Sequence, residues 1–186
     1  MPVTTLDPVT ALIVIDLQRG IAGLPGVHSL PEVVERSAAL AEAFRARSLP
    51  VVLVNVNATP PGRTDLGPRS VPRSDGWTEF VDELTPQPGD HTVTKRTWGA
   101  FSHTDLDAWL KSKSATQVVV TGVATSAGVE STARQAHELG YNVTPAIDAM
   151  TDMSAEAHEN SLTRIFPRLG ETGTTDDILT LLKERA

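Results

Sequence analysis

The sequence predicts one α/β domain in which helices cover both faces of a parallel sheet. Short apolar runs alternate with longer stretches of helical periodicity, which is typical of βαβ units. Several of these runs are continuously apolar rather than alternating, as expected of strands buried on both faces. The chain has 186 residues, enough for one hydrophobic core, and no repeat or linker divides it.

The first half of the chain predicts two buried strands separated by a helix. Pro31 opens that helix, where its missing N–H costs nothing. Residues 58–76 are rich in Pro, Gly, Arg and Ser, which predicts a long surface loop of the kind that often binds ligands. The predicted elements are a strand over residues 11–16, a helix over 31–47, a strand over 51–56 and a short helix over 77–84.

The second half predicts three further strands, each followed by a helix. Thr104 suits a helix N-cap, and Gly140 suits the position just after a helix. Pro145 indicates the end of a strand or a strand at a sheet edge. The predicted strands cover residues 92–95, 117–122 and 142–147, and the predicted helices cover 104–110, 129–139, 154–169 and 175–184.

Composition excludes several classes of function. The net charge is -7 and no basic run occurs, so we expect no binding to nucleic acid or to an anionic membrane surface. No apolar stretch approaches the ~20 residues of a membrane span, and residues 1–8 do not resemble a signal peptide. The absence of cysteine excludes disulfides, thiolate metal sites and thiol nucleophiles, and we expect a cytoplasmic protein.

Three features fall at the carboxyl ends of predicted strands, where open parallel sheets bind ligands. Asp16 ends the first strand, Lys95 ends the third, and residues 124–130 lead from the fourth into a helix N-terminus. Taken singly, Asp16 is more often a turn residue, Lys95 a solvated lysine and Gly128 a turn glycine. Together they predict an acid, an ammonium group and free N–H groups in one pocket.

Five motifs in order cover nearly the whole chain. They are ALIVIDLQ at 11–18, KRTWGAF at 95–101 with TDL at 104–106, TGVAT at 121–125, VESTAR at 129–134, and GYNV at 140–143 with Asp148, Ala149 and His158. Together they resemble the isochorismatase-like hydrolases, also called cysteine hydrolases, a family that includes nicotinamidases, carbamoylsarcosine amidases and isochorismatases. The resemblance implies a six-stranded parallel sheet and a homo-oligomer, either dimer or tetramer.

Carried over by position, Asp16 matches the family's acid/base aspartate and Lys95 its lysine. The family's non-proline cis peptide would fall at Val123–Ala124. Gly128 stands where the family has its nucleophilic cysteine. Glycine has no side chain, so the covalent thioester route is closed at this position.

Three hypotheses therefore remain open. The first is non-covalent hydrolysis of a small organic substrate, with or without a carboxylate. As in cysteine-free vinyl-ether cleavage, Asp16 would donate a proton and water would capture the cation. Burial would raise the pKa of Asp16 and Lys95 would lower it, and the sequence does not decide between them.

The second hypothesis is an amide or ester hydrolase whose nucleophile is the hydroxyl of Ser126 or Thr125, although Ser126 also suits a helix N-cap. The third is an inactive binding or scaffold member in which Asp16 and Lys95 form a structural ion pair.

Other residues are assigned by their neighbourhood. Trp98, Phe101, Ala124, Thr125 and Gly128 are predicted to line a small-molecule site, with Trp77 nearby. Arg63, Arg69 and Arg73 form a solvated cluster or a carboxylate clamp. Residues 55–62, where nicotinamidase-type relatives bind metal, contain no histidine, so we predict no metal and no other cofactor. His158 is predicted to be structural.

Overall fold

The protein is described here by a computed structural model that covers residues 2–65, 67 and 74–184. Five parallel strands form one sheet in the order β3-β2-β1-β4-β5, with helices on both faces. This confirms the predicted α/β class. The strands are β1 (Thr10–Ile15), β2 (Val51–Val56), β3 (His91–Lys95), β4 (Gln117–Val123) and β5 (Asn142–Thr151), and the helices are α1 (Leu30–Arg45), α2 (Leu106–Ser112), α3 (Glu130–Glu138), α4 (Ala155–Asn160), α5 (Phe166–Leu169) and α6 (Thr175–Glu184).

The central strand β1 is buried along its whole length, as its unbroken apolar run predicts. Its side chains alternate between two apolar clusters, one on each face of the sheet. Leu12 and Val14 join the cluster that includes α1 and α6. Ile13 and Ile15 join the cluster that includes α2, α3 and α5. Burial of both faces therefore sandwiches the sheet between two helical layers.

The predicted sixth strand is not formed. Residues 170–173 run parallel to β5 but pair with it only at two isolated bridges, Val143 with Gly170 and Ala146 with Gly173. Between these bridges β5 carries Pro145, which has no N–H to donate to this neighbour. The ladder is interrupted there, so β5 is the edge strand of a five-stranded sheet.

Three helix predictions need correction. Residues 77–84 form only a short 3₁₀ turn at Asp82–Leu84. The predicted helix over residues 154–169 is divided into α4 and α5 by a π-helical turn at Ser161–Ile165. Helix α2 begins at Leu106 with Asp105 as its N-cap residue, and the Thr104 hydroxyl accepts from the Leu106 N–H at 3.4 Å while it donates to the Ala100 carbonyl at 2.6 Å. Gly140 does follow α3 with φ +90°, as predicted.

Strand register brings the candidate residues to one edge of the sheet. Ile15 at the end of β1 pairs with Val54 of β2 and with Gly122 of β4. Lys95 at the end of β3 pairs with Val56. The residues that follow β1, β3 and β4 therefore emerge on the same side. Within the described residues, no helix is both long and apolar enough to cross a membrane.

Candidate active site

Asp16 lies at the centre of this edge, directly after β1. Its N–H donates to the Val54 carbonyl at 2.8 Å, and its φ of +55° places it in the left-handed region. Aspartate adopts this conformation more readily than most residues do. The residue is only 5% exposed, so the carboxyl group has almost no contact with bulk water.

Lys95 is in direct contact with Asp16. Its Nζ donates to Asp16 Oδ2 at 2.7 Å and to the Thr97 carbonyl at 3.2 Å. The lysine side chain is 2% exposed. Because β2 separates β1 from β3, this side chain crosses the end of β2 to reach the carboxylate. The acid and the ammonium group are thus brought together as predicted.

Burial dominates the electrostatics of Asp16. Loss of solvent raises the pKa of Asp16 to about 6, although the charge and hydrogen bond of Lys95 act to lower that pKa. The two carboxyl oxygens differ, because Oδ2 is bound by Lys95 while Oδ1 is buried and accepts no hydrogen bond from any described residue. The carboxyl therefore takes up its proton at a higher pH than an ordinary aspartate does.

The segment that follows β4 passes close to Asp16. Gly122 has φ +115°, and a Cβ there would lie 2.0 Å from the Ile15 carbonyl oxygen, so only glycine fits. The next peptide bond, Val123–Ala124, is cis, at the position that the family resemblance implies. A π-helical turn, Thr125–Val129, then leads into α3.

Gly128 of this turn faces the carboxyl group directly. A Cβ built there would lie 3.3 Å from Asp16 Oδ2, 3.0 Å from Ile15 Cγ2 and 3.1 Å from the Val123 carbonyl oxygen. Any side chain at this position would therefore stand beside the acid. Glycine leaves this place free of a thiol or hydroxyl, and the correspondence of Gly128 to the family's nucleophile position stays a prediction.

The remaining predicted lining residues lie in different surroundings. Ala124 is half-buried against the α1–α6 cluster. Thr125 is fully buried, and its Oγ1 lies 2.8 Å from His158 Nδ1. Trp98 is 52% exposed, whereas Phe101 stacks on Tyr141 with ring centroids 6.0 Å apart. Phe101 therefore takes part in core packing, and its role in binding stays a prediction.

Ser126 is held by a carboxylate rather than acting as a helix cap. Its N–H and its hydroxyl both donate to Asp152 Oδ2 at 2.7 Å. The predicted N-cap role is therefore wrong, since the residue lies inside the turn. Of the arginine cluster, Arg63 is exposed, while Arg69 and Arg73 lie outside the described residues.

Two groups that sequence reasoning missed support the site. Gln18 Nε2 donates to the carbonyls of Val56 and Trp77, and its Oε1 accepts from Val56 N–H at 2.8 Å. This buried amide fixes the segment after β1 onto β2. Its position in the ALIVIDLQ motif was the available signal. Asp152, at the end of β5, had no such signal, because its role depends on how β5 meets the Thr125–Val129 turn.

No group of three or more histidine or carboxylate side chains within residues 2–65, 67 and 74–184 is placed to hold a metal ion. The prediction that the protein uses no metal remains a prediction.

Comparison with known proteins identifies one family. An Isochorismatase domain model matches residues 10–177. The chain is 42% identical to the isochorismatase family protein YwoC of Bacillus subtilis (strain 168) over 182 residues, covering 94% of each chain. It is 30% identical to the ureidoacrylate amidohydrolase RutB of Pseudomonas syringae pv. syringae (strain B728a), covering 92% of this chain and 82% of RutB.

Solved structures agree. An isochorismatase family protein from Burkholderia thailandensis aligns with a TM-score of 0.92 at 45% identity, covering 96% of this chain and 98% of that one. N-carbamoylsarcosine amidase from Thermoplasma acidophilum aligns with a TM-score of 0.73 at 26% identity, covering 90% of this chain and 97% of that one.

Proposed function

Because the chain belongs to the isochorismatase family of hydrolases, we propose that it hydrolyses a small organic substrate by non-covalent acid/base catalysis through Asp16. The observation that carries this proposal is the Asp16 carboxyl group. It is buried, its pKa is raised to about 6, and one of its oxygens has no hydrogen-bond donor among the described residues. A general acid must carry a proton on an oxygen that is not already engaged by another donor, and Oδ1 meets this condition.

Lys95 supports the acid in two ways. Its hydrogen bond to Oδ2 orients the carboxyl, so that the proton is carried by Oδ1. Its positive charge also stabilises the carboxylate that remains after proton transfer. Lys95 is therefore a partner of the acid and not a competing base, because an ammonium group carries no lone pair.

Gly128 favours a non-covalent route. The position beside Asp16 Oδ2 that a side chain would occupy carries no thiol or hydroxyl that could attack a substrate. For a vinyl ether, Asp16 gives its proton to the terminal vinyl carbon and the ether becomes an oxocarbenium ion. Water adds to that cation and returns a proton to Asp16, and the resulting hemiketal separates into a ketone and an alcohol.

The relatives named for amide hydrolysis, RutB and N-carbamoylsarcosine amidase, suggest a second substrate class. An amidase route through Ser126 is less well supported, because its hydroxyl is already bound to Asp152. An ionised carboxylate is also a weak base for activating a serine.

The test is release of pyruvate from isochorismate, a vinyl ether of the required kind. We expect the Asp16→Asn variant to lose about 10²–10⁴-fold in kcat/KM. We expect wild-type kcat/KM to rise as the pH falls through about 6, since the acid must be protonated. The matched control is Asp176→Asn, which changes an exposed carboxylate in the first turn of α6.

The outcomes separate the three hypotheses. Full activity of Asp16→Asn would contradict the assigned role of Asp16. No turnover by the wild type would exclude isochorismate and lead to a panel of small amides and esters. Turnover of an amide that is lost in Ser126→Ala would favour the hydroxyl route, and inactivity towards every compound would favour a binding protein.

A further inference from the structure

Two histidines pack together beside the Thr125–Val129 turn. The rings of His28 and His158 meet edge to face, with centroids 5.1 Å apart and an interplanar angle of 83°. His158 lies in α4 and is 4% exposed, whereas His28 is half-buried in the segment between β1 and α1. Neither ring contributes to the reaction proposed above, so their burial requires a separate explanation.

His158 is bonded to the first residue of the turn. Its Nδ1 lies 2.8 Å from Thr125 Oγ1, and Thr125 is fully buried. Without this histidine the threonine hydroxyl would lose its partner in a place with no access to water, which destabilises the turn. Since the same turn carries Gly128 beside Asp16, the His158–Thr125 hydrogen bond fixes one wall of the site.

His28 connects the segment after β1 to the end of β5. Its Nδ1 lies 2.8 Å from the Met150 carbonyl oxygen, which can only accept, so Nδ1 carries the hydrogen. Its main-chain N–H donates to Thr151 Oγ1, which in turn donates to the His28 carbonyl. The contact between the two rings therefore joins the chain that leaves Asp16 to the turn that faces Asp16.

The charges around His158 determine when this contact is stable. Burial lowers the pKa of His158, and a proton on His28 lowers it further, whereas Asp152 and Glu159 act in the opposite direction. A proton on His158 would place a buried cation 5.1 Å from the half-buried His28 ring. The packed arrangement is therefore that of a neutral His158.

We propose that His158, with His28 packed against it, is a positioning residue that holds the Thr125–Val129 turn against the site only while its ring is neutral. Protonation of His158 loosens the turn and the neighbouring segment around His28. The positioning itself depends only on the contacts above. Its consequence for turnover rests on the proposed function.

The experiment is amide hydrogen exchange followed by NMR at pH 7 and pH 5, reported as protection factors so that the intrinsic rate is removed. The reporters are the N–H groups of Ala127 and Val129, which both donate to the Ala124 carbonyl, and that of His28, which donates to Thr151. We expect protection of these amides in the wild type to fall on the order of tenfold between pH 7 and pH 5.

Variants separate a proton-sensitive role from simple packing. His158→Gln keeps an amide oxygen for Thr125 but cannot titrate, so protection should be retained at both pH values. His28→Gln removes the ring whose charge lowers the pKa of His158, so the pH response should differ from that of the wild type. His91→Gln is the matched control, since His91 is a half-buried histidine held by Asp105 and stacked on Trp109 away from this pair.

Two results would overturn the proposal. One is wild-type protection that stays the same from pH 7 to pH 5, and the other is a pH response that persists in His158→Gln. The exchange measurement needs no substrate, so it stands if the proposed function fails. Asp16→Asn should keep the exchange response while losing turnover, which distinguishes the two failures.

Discussion

At the scale of single residues, the distinctive feature is a carboxyl–ammonium pair in which both side chains are almost completely buried from solvent. Asp16 and Lys95 are joined by one 2.7 Å hydrogen bond, and removing one partner of such a buried pair strands the other. Asp16 also occupies the left-handed region of φ at the end of a parallel strand. A non-glycine residue in this conformation persists only where the surroundings hold it, and such positions cluster at functional sites.

The pair predicts how Asp16 titrates. Carbon-13 NMR of the aspartate carboxyls should show Asp16 with a midpoint of about 6 in the wild type. The Lys95→Met variant removes both influences that lower the pKa of Asp16, so the midpoint should rise. Lys111→Met is the matched control, since Lys111 also bonds an aspartate at 2.7 Å but on the surface. A midpoint unchanged by Lys95→Met would contradict this account of the site.

The raised pKa of Asp16 determines whether this residue makes the folded protein more or less stable as the pH rises. Between the ordinary value of 3.8 and about 6, the folded protein holds more of this proton than the unfolded chain does. The Asp16 contribution to stability is therefore greatest at low pH and is lost as the pH rises through about 6. His158 has a lowered pKa and contributes the opposite slope, because below 6.5 the unfolded chain takes up this proton more readily than the folded protein does, so stability falls as the pH falls.

At the scale of elements, the loop after β3 is tied to α3, and this tie holds the approach to Lys95. The Ala100 N–H donates to Thr132 Oγ1 at 3.1 Å, and the Phe101 N–H donates to Gln135 Oε1 at 3.1 Å. Thr132 in turn donates to the Gly128 carbonyl at 2.7 Å. One side chain of α3 therefore couples the loop after β3 to the turn after β4.

Removing this tie should destabilise the protein. Thr132→Val keeps the shape but leaves the buried Ala100 N–H without an acceptor, so we expect a loss of about 1–3 kcal/mol in the free energy of unfolding. Thr163→Val is the matched control, because Thr163 makes a similar bond to the carbonyl four residues earlier but is exposed. Urea denaturation of both variants measures the difference. Equal effects would show that the tie contributes nothing.

Helices and strands were predictable from sequence where the local apolar pattern alone determined them. Strands β1, β2 and β4 follow from apolar runs, and the contact of Asp16 with Lys95 follows from parallel strand ends. The helix predicted over residues 77–84 is not formed, although Trp77, Phe80 and Leu84 recur at helical spacing. Long-range pairings of this segment explain the difference. Phe80 forms an antiparallel bridge with Gln18, and the Trp77 carbonyl accepts from Gly20 N–H. These are long-range pairings that local periodicity does not report.

Side-chain contacts made by the later helices were the least predictable. The bonds of His158 to Thr125 and of Asp152 to Ser126 depend on where α4 docks against the turn after β4. The helix that starts as α4 is interrupted by a π-helical turn and resumes as α5 at Phe166. Neither the turn nor the interruption has a clear signature in the sequence, so the position of α4 could not be predicted. His158 was therefore expected to be structural, without any indication of its partner.

At the scale of the whole molecule, the open edge of the sheet at β5 is closed by a segment that is not itself a strand. Residues 170–173 lie between β5 and the N-terminal segment, where Pro2 bridges Thr172 and Val3 N–H donates to the Thr172 carbonyl at 2.7 Å. Covering an edge in this way blocks pairing with another chain.

The edge cover should depend on Gly170. A Cβ there would lie 1.8 Å from the Val143 carbonyl oxygen, so Gly170→Ala must push the segment away from β5. We expect a loss of about 2 kcal/mol or more, which lowers the Tm of a chain of this size by roughly 4–8 °C. Gly23→Ala is the control, because a Cβ at Gly23 meets nothing within 4 Å. Similar Tm values for the two variants, measured by calorimetry, would contradict this role.

The central position of β1 also determines when its two neighbouring strands become available during synthesis. Its two neighbours are β2, which follows soon after it, and β4, which ends at Val123. Until that residue leaves the ribosome, the buried strand β1 has one hydrogen-bonding edge without its native partner. The nascent chain therefore exposes an unpaired edge of a largely apolar strand during this interval, which is when a chaperone would be most needed.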